Sequence, residues 1–310
     1  MAFTALDVKA LREKTGVGMM ECKKALVEAD GDMDKAIDYL RERGLAAATK
    51  KAGRTAAEGV VLAYTDDAKK VGVLVEVNSE TDFVGKNEKF QAFVLDVAKT
   101  IVDKNPGDVE DLLDVNLFES ERTVQENLQD IILSIGENMK IRRFERVEGT
   151  TFTYIHAGGS VGVIVSADVA EDIAEKEELA EMGKNIAMQI VAMKPQYLDI
   201  ADISEEAVEH EYEIQIAQMK NDPDMSSKPD AVIKKIAEGK MSKFYKEVCL
   251  MEQEFVRSDL FKGSVKGYIA DVAKRLGGDI KITDFTCYIK GEGIEKKEEN
   301  FADEIASMIN

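Results

Sequence analysis

The 310-residue chain has only two histidines, His156 and His210, for proton transfer or metal ligation. His210 lies between Glu209 and Glu211 on a helical pattern and reads as part of a solvated face. His156 ends a strand-like run beside Ala157-Gly158-Gly159-Ser160, which predicts a surface position. Spacing pairs it with no serine or cysteine nucleophile and orienting acid, so a structural or contact role fits it better than that of a general base. Cys22, Cys249 and Cys287 stand apart, are odd in number and form no CxxC. That fits reduced thiols in a cytosol rather than a disulfide framework. No Walker loop, GxSxG or HExxH occurs, and Gly291-Glu292-Gly293 lacks the third glycine of a dinucleotide fingerprint. Nothing here calls for covalent catalysis, a metal or a cofactor. The expectation is a protein that is not an enzyme and works by binding.

The stretch with the clearest binding character is Asn78-Ser79-Glu80-Thr81-Asp82-Phe83-Val84. It follows Val71–Val77, a nearly continuous apolar run that reads as a buried strand. It precedes Asn87–Phe90, which reads as a helix start. A polar strand-to-helix connection sits at the surface, and this one presents an acid beside a large aromatic. By residue type alone Phe83 reads as a plug into its own core, with a wedge for another molecule as the alternative.

Composition narrows the partners. The formal charge is −19, and a net negative field repels phosphate backbones, so nucleic-acid binding is not expected as the main activity. Lys50-Lys51 and Arg142-Arg143 are the densest basic spots and both are short. No apolar run reaches the roughly 18 residues of a membrane span, and the start, Met1–Asp7, shows no basic segment followed by an apolar one. The expectation is a cytoplasmic, anionic protein that binds other proteins and no membrane.

The elements that must position these residues follow from periodicity. Residues 1–45 predict three helices. The first runs from Thr4 to Lys14, the second from Met19 to Ala29, and the third, capped by Asp32, carries Met33, Ile37 and Leu40 and stops at Gly44. Met19 and Met20 are adjacent, so at least one must be exposed, and flexible methionine suits a partner surface. Residues 46–55, rich in Ala and Lys, read as a linker. Residues 56–140 predict a βαβ-like unit. Gly59–Thr65 and Val71–Val77 form a hairpin across Asp66–Lys70, followed by a helix with Phe90, Phe93, Val94, Val97 and Ile101, a second helix from Thr123, and a strand over Met139–Val147. Residues 141–290 repeat the pattern. Val161-Gly162-Val163-Ile164-Val165 echoes Val71-Gly72-Val73-Leu74-Val75 at an offset of 90 residues, and a helix follows each. A helical hairpin is inserted at about 204–249, with a narrow apolar stripe on each arm. A helix over Ser264–Leu276 and a strand over Asp279–Lys290 close this half. Residues 291–310 end in an amphipathic helix carrying Phe301, Ile305 and Met308, too short to be stable unless it docks. The fold class expected is α+β, with a core of two related α/β subdomains.

Several stretches resemble the bacterial elongation factor Ts family. They are Thr81-Asp82-Phe83-Val84 after its apolar strand, Leu11–Leu26 with Thr15-Gly16-Val17-Gly18-Met19-Met20 inside it, Ile135–Arg143, Tyr154–Gly158, Glu238–Phe244 and Gly291–Lys296. They occur in family order and span nearly the whole chain. The resemblance implies a UBA-like N-terminal domain, antiparallel sheets in the core, a coiled-coil hairpin and a C-terminal helical module. It also implies a guanine nucleotide exchange factor for elongation factor Tu, binding the GDP form and the nucleotide-free form and promoting GDP release. In that role Asp82 and Phe83, with Thr81 and Val84, would intrude near the Mg²⁺ and phosphate region of the partner. Arg12, Met19, Met20 and Lys23 would grip a helix of its nucleotide domain, His156 would support the core contact, and Phe301 and Ile305 would clasp it from another side. The Ala157–Ser160 loop departs from common members, which weakens the transfer at His156. A dimer or a heterotetramer is left open. With the resemblance, Phe83 reads as a wedge rather than a plug. The rival readings are a receptor for a ubiquitin-like fold, suggested only by the N-terminal helices, an α/β metabolic enzyme, and a scaffold built on the hairpin.

Overall fold

The computed structural model describes residues 3–15, 17–223 and 228–295. Helices α1 (Ala5–Thr15), α2 (Met19–Glu28) and α3 (Met33–Lys51) close around Leu11, Cys22, Leu26 and Leu40. The Asp32 side chain accepts from the N–H groups of Asp34 and Lys35 and starts α3. The expected stop at Gly44 is not there: α3 continues to Lys51. Gly44 is buried against the Gln129 backbone, where a Cβ would make ordinary contact at 3.5 Å from the carbonyl oxygen, so the helix runs through it and no cap forms there. The Ala-rich segment after it propagates the helix, and residues 46–51 of the expected linker are helical.

Next come β1 (Glu58–Asp66), β2 (Val71–Ser79), α4 (Asp82–Gly85), α5 (Glu88–Lys104), α6 (Val109–Asp114), α7 (Val124–Ile135) and β3 (Met139–Glu148). They are followed by β4 (Thr150–His156), β5 (Val161–Val169), α8 (Glu177–Met193), α9 (Glu205–Asn221), α10 (Asp230–Val248), α11 (Val265–Leu276) and β6 (Ile280–Ile289). The class is α+β. Two three-stranded sheets have the orders β1-β2-β3 and β4-β5-β6, and every pairing is antiparallel. The βαβ-like order therefore contains no parallel crossover, because α5 to α7 return the chain against β2.

The two halves share a frame. Each central strand carries a register shift, between Glu76 and Val77 in one and between Ser166 and Ala167 in the other. Thr123 and Ser264 cap α7 and α11, both twelve residues long, and left-handed Gly136 and Gly277 end them. The odd-numbered valines Val71 to Val77 face α5 and its neighbours, while Leu74 packs with Val61, Ile164 and Tyr288 between the sheets. The shared Val-Gly step has a packing cause. A Cβ on Gly72 would meet Thr151 Oγ1 at 2.6 Å, and one on Gly162 would meet Val61 Cγ1 at 2.5 Å. Each glycine admits a side chain of the facing sheet. The arms α9 and α10 pack on each other through Met219, Ile233 and Ala237 with Tyr212 and Ile216.

Candidate functional site

The Asn78–Val84 stretch leaves the fully buried strand β2, passes Glu80 and Thr81, and enters the one-turn helix α4. Alternation breaks there, and the two apolar residues of α4 part company. Val84 is 4% exposed and joins the core under α5, whereas Phe83 is 78% exposed. The plug reading of Phe83 from residue type alone is therefore corrected: Val84 fills the local core, and Phe83 is free to meet another surface. Asp82 beside it is exposed and lies 3.6 Å from Lys86 Nζ.

The turn is fixed on every side. Thr81 is the N-cap of α4, yet its hydroxyl does not cap the helix. It donates to Glu137 Oε1 at 2.7 Å, and the Thr81 N–H donates to Glu137 Oε2 at 2.9 Å. Ser79 Oγ donates to the Thr81 carbonyl at 2.9 Å. Glu80 accepts from the Asn138 N–H, and the Asn138 amide donates to the Arg54 carbonyl at 2.7 Å. At the other end, a Cβ on Gly85 would lie 2.9 Å from the Gly59 carbonyl oxygen, so only glycine lets α4 rest on β1. Asn87 then accepts from Lys89 and Phe90 N–H and starts α5. The end of α3 reaches the same region. Burial, then Arg54, lowers the pKa of Lys51, while Glu80 and Glu137 push it back up.

The other expected contact residues fall in two places. His156 is exposed at the end of β4, with Tyr154 Oη 3.2 Å from its Nδ1. The Gly159 carbonyl after it accepts from the Val61 N–H at 2.8 Å. Gly159 and Gly85 both lie against Val60, so the His156 turn and the Phe83 turn flank one residue of β1. Gly291 packs on the Ala57 carbonyl just before β1. Arg12, Met19, Met20 and Lys23 lie apart on α1 and α2, all exposed. Both methionines are out, Met19 at 50% and Met20 at 65%, and neither Arg12 nor Lys23 forms an ion pair with a described residue. Phe301 and Ile305 lie outside the described residues.

Beneath this end of the molecule sits a buried carboxylate. Glu76 accepts from Arg142, from Arg143 Nε at 2.7 Å, from Asn78 at 3.0 Å and from the Gly291 N–H at 2.7 Å. Burial alone would raise its pKa, but the Gly291 N–H, Asn78 and Arg143 outweigh it and hold the group below the ordinary value. Arg143 also stacks over the Tyr288 ring, 4.2 Å from its centroid. Sequence reasoning missed Glu76, Glu80 and Glu137 as site supports. A glutamate inside an otherwise apolar strand was the available signal for Glu76. For Glu137 it was an acid directly after the helix-ending Gly136.

These groups can bind and orient. An exposed phenylalanine on a braced turn offers apolar area to a partner, and Asp82 offers a hydrogen-bond acceptor beside it. Elsewhere, burial pushes the Cys249 thiol up to about 11, which keeps it in the inert protonated form. No described helix is long and apolar enough to cross a membrane.

A sequence profile described as "Elongation factor TS" matches residues 80–292. Elongation factor Ts of Clostridium perfringens (strain SM101 / Type A) is 47% identical over 308 residues, covering 98% of both chains. The protein of that name from Trichlorobacter lovleyi is 46% identical over 312 residues, covering 99% of this chain and 98% of its own. The one from Clostridioides difficile (strain 630) is 45% identical over 308 residues, covering 99% and 98%. With similarity of this extent running through both halves and the Phe83 turn, the chain belongs to the elongation factor Ts family.

Proposed function

We propose that this chain is a guanine nucleotide exchange factor for elongation factor Tu, acting in the cytoplasm without covalent chemistry. The exposure of Phe83 on a turn held at both ends carries the reading. The chain binds the GDP form, and Phe83 enters an apolar space beside the partner's nucleotide site while Asp82 engages the polar groups displaced there. Burying the Phe83 side chain is worth about 1.5–3 kcal/mol before costs. Spent on a nucleotide-poor state alone, that biases a switch. Linkage makes the effect mutual: by the factor that the exchange factor weakens GDP binding, GDP weakens its hold.

The remaining exposed residues extend the surface. Arg12, Met19, Met20 and Lys23 grip the nucleotide domain from the UBA-like three-helix unit, and His156 supports the contact beside Phe83. Phe301 and Ile305 hold it from the C-terminal module. The α9–α10 pair serves as the family's coiled coil. The test is release of fluorescent GDP from elongation factor Tu with the full chain at substoichiometric concentration. Accelerated release is expected, and a rate equal to spontaneous release overturns the proposal.

A further inference from the structure

We infer that Glu137 is a positioning residue for the Phe83 turn: by holding Thr81 with both carboxylate oxygens, it sets the posture in which Phe83 meets its partner. The inference rests on the exchange reading above and deepens it.

The argument starts from what Thr81 gives up. A threonine at an N-cap ordinarily turns its hydroxyl onto its own helix. Here the hydroxyl and the N–H both point the other way, onto one carboxylate, at 2.7 and 2.9 Å. Hydrogen bonds to an ionised acceptor are about twice as strong as neutral ones, and two of them to one planar group fix direction as well as distance. Glu137 is itself anchored. It follows the left-handed cap Gly136, and its neighbour Asn138 is buried, bonded to Glu80 and to the Arg54 carbonyl, and leads directly into β3. The Glu137 backbone thus belongs to the rigid frame of the first half, and its side chain reaches out to a four-residue helix too short to hold itself.

Nothing in the packing of Phe83 would otherwise restrain it, since the ring lies largely in solvent. Its direction is inherited from backbone. The Gly85 contact with β1 and burial of Val84 fix the far end of α4, and Glu137 fixes the near end. In the second half the corresponding place after α11 is held by Gly278, so the clasp is specific to the half that displays a phenylalanine.

The test is a double-mutant cycle in the fluorescent GDP release assay, using the full chain and elongation factor Tu, with maximal acceleration separated from half-saturating concentration. Glu137→Ala should lower maximal acceleration about tenfold, the size expected for losing paired charge-assisted hydrogen bonds. Thr81→Val, a milder change, should lower it less, and Thr81→Ser should retain it. In a Phe83→Ala background, Glu137→Ala should add nothing. Equal slowing in both backgrounds overturns the inference and leaves the exchange reading standing. If Phe83→Ala itself leaves exchange unchanged, the wedge reading falls. A second measurement does not depend on any partner. In the free chain labelled with fluorophenylalanine, the Phe83 resonance, assigned by its loss in Phe83→Ala, should narrow as the ring gains motion in Glu137→Ala. An unchanged line overturns the positioning role.

Discussion

After β2 the chain turns through Asp82-Phe83-Val84 and leaves Phe83 78% exposed; after β5 it turns through Glu171-Asp172-Ile173 and buries Ile173 completely. The surroundings differ to match. In the second half, the Ala170 N–H donates to the Asp279 carbonyl at 3.1 Å, and a Cβ on Gly278 would stand 3.0 Å from Ile173 Cδ1. The missing side chain of Gly278 is the room that Ile173 occupies. In the first half Glu137 stands in that position and directs its carboxylate to Thr81. Both turns bury their third residue, Val84 in the first half and Ile173 in the second, and they differ in what they expose before it: Phe83 where a glutamate holds the turn, and Asp172 where a glycine makes space. The core under the Phe83 turn is completed by Val84, so displaying Phe83 leaves no hole.

The largest effect should come from the buried member of the pair. Ile173→Ala removes fully buried methyl groups and should cost about 2–5 kcal/mol in urea unfolding. A cost near zero would mean that the Ile173 turn contributes no packing and that the contrast with Phe83 is empty. Next is the carboxylate that only the first half buries. Glu76→Gln removes the buried carboxylate that Arg142 and Arg143 share, leaving Arg143 only its pair with Glu292, and should cost about 3 kcal/mol near neutral pH, whereas Ser166→Ala at the matching bulge should cost much less. The glutamate's pKa is held below its ordinary value of 4.5. Its ionised form stabilises the native state fully above that value, and the contribution is lost as pH falls through the lower native value. The gap between wild type and Glu76→Gln should therefore be constant near pH 7 and close on acidification. A gap that widens toward acid would refute the assignment of charge to Glu76.

A smaller effect tests the space between Gly278 and Ile173. Gly278→Ala forces the new methyl onto the Ile173 methyls and should cost about 1–3 kcal/mol. Gly277 beside it has φ +78° and open space around its Cα, so any cost of Gly277→Ala comes from backbone strain alone. Combining Gly278→Ala with Ile173→Ala should recover much of the first loss, because the two changes share one volume. Simple additivity would show that they do not.

The frame was largely legible in the sequence, because it rests on periodicity. The stripe Phe90, Phe93, Val94, Val97, Ile101 places α5, and the paired Val-Gly runs place the central strands. The caps Asp32, Thr123, Ser204 and Ser264 act as their types suggest. Gly44 misled because glycine ends many helices but is also tolerated inside one that packing holds, and a single sequence does not distinguish the two. The site was half legible. Phe83 drew notice by its type in a polar turn, but whether it or Val84 went inward depends on the seating of α4, which Gly85 decides together with Gly59 and Glu137, both distant in the chain. The distant supports, Gly59 and Glu137, leave no local pattern, since their partners are close only after the sheets form.

Phe83→Ala should give the smallest change in stability and the most informative one. The ring is mostly in water in the free chain, so removing it deletes little buried area, and surface changes of this kind stay within about 0.5 kcal/mol. The change can even be favourable, because an exposed aromatic gains nothing from the fold and alanine is the better helix former. The same substitution removes the apolar area that a partner would cover, so affinity and exchange should fall while the urea midpoint holds. Ile173→Ala should do the reverse, lowering the midpoint while exchange per folded molecule is kept. Measured together, the two variants separate a side chain kept for the fold from one kept for a partner. If Phe83→Ala instead lowers the midpoint as far as Ile173→Ala does, then Phe83 is packed in solution, and the two turns are alike in use as well as in frame.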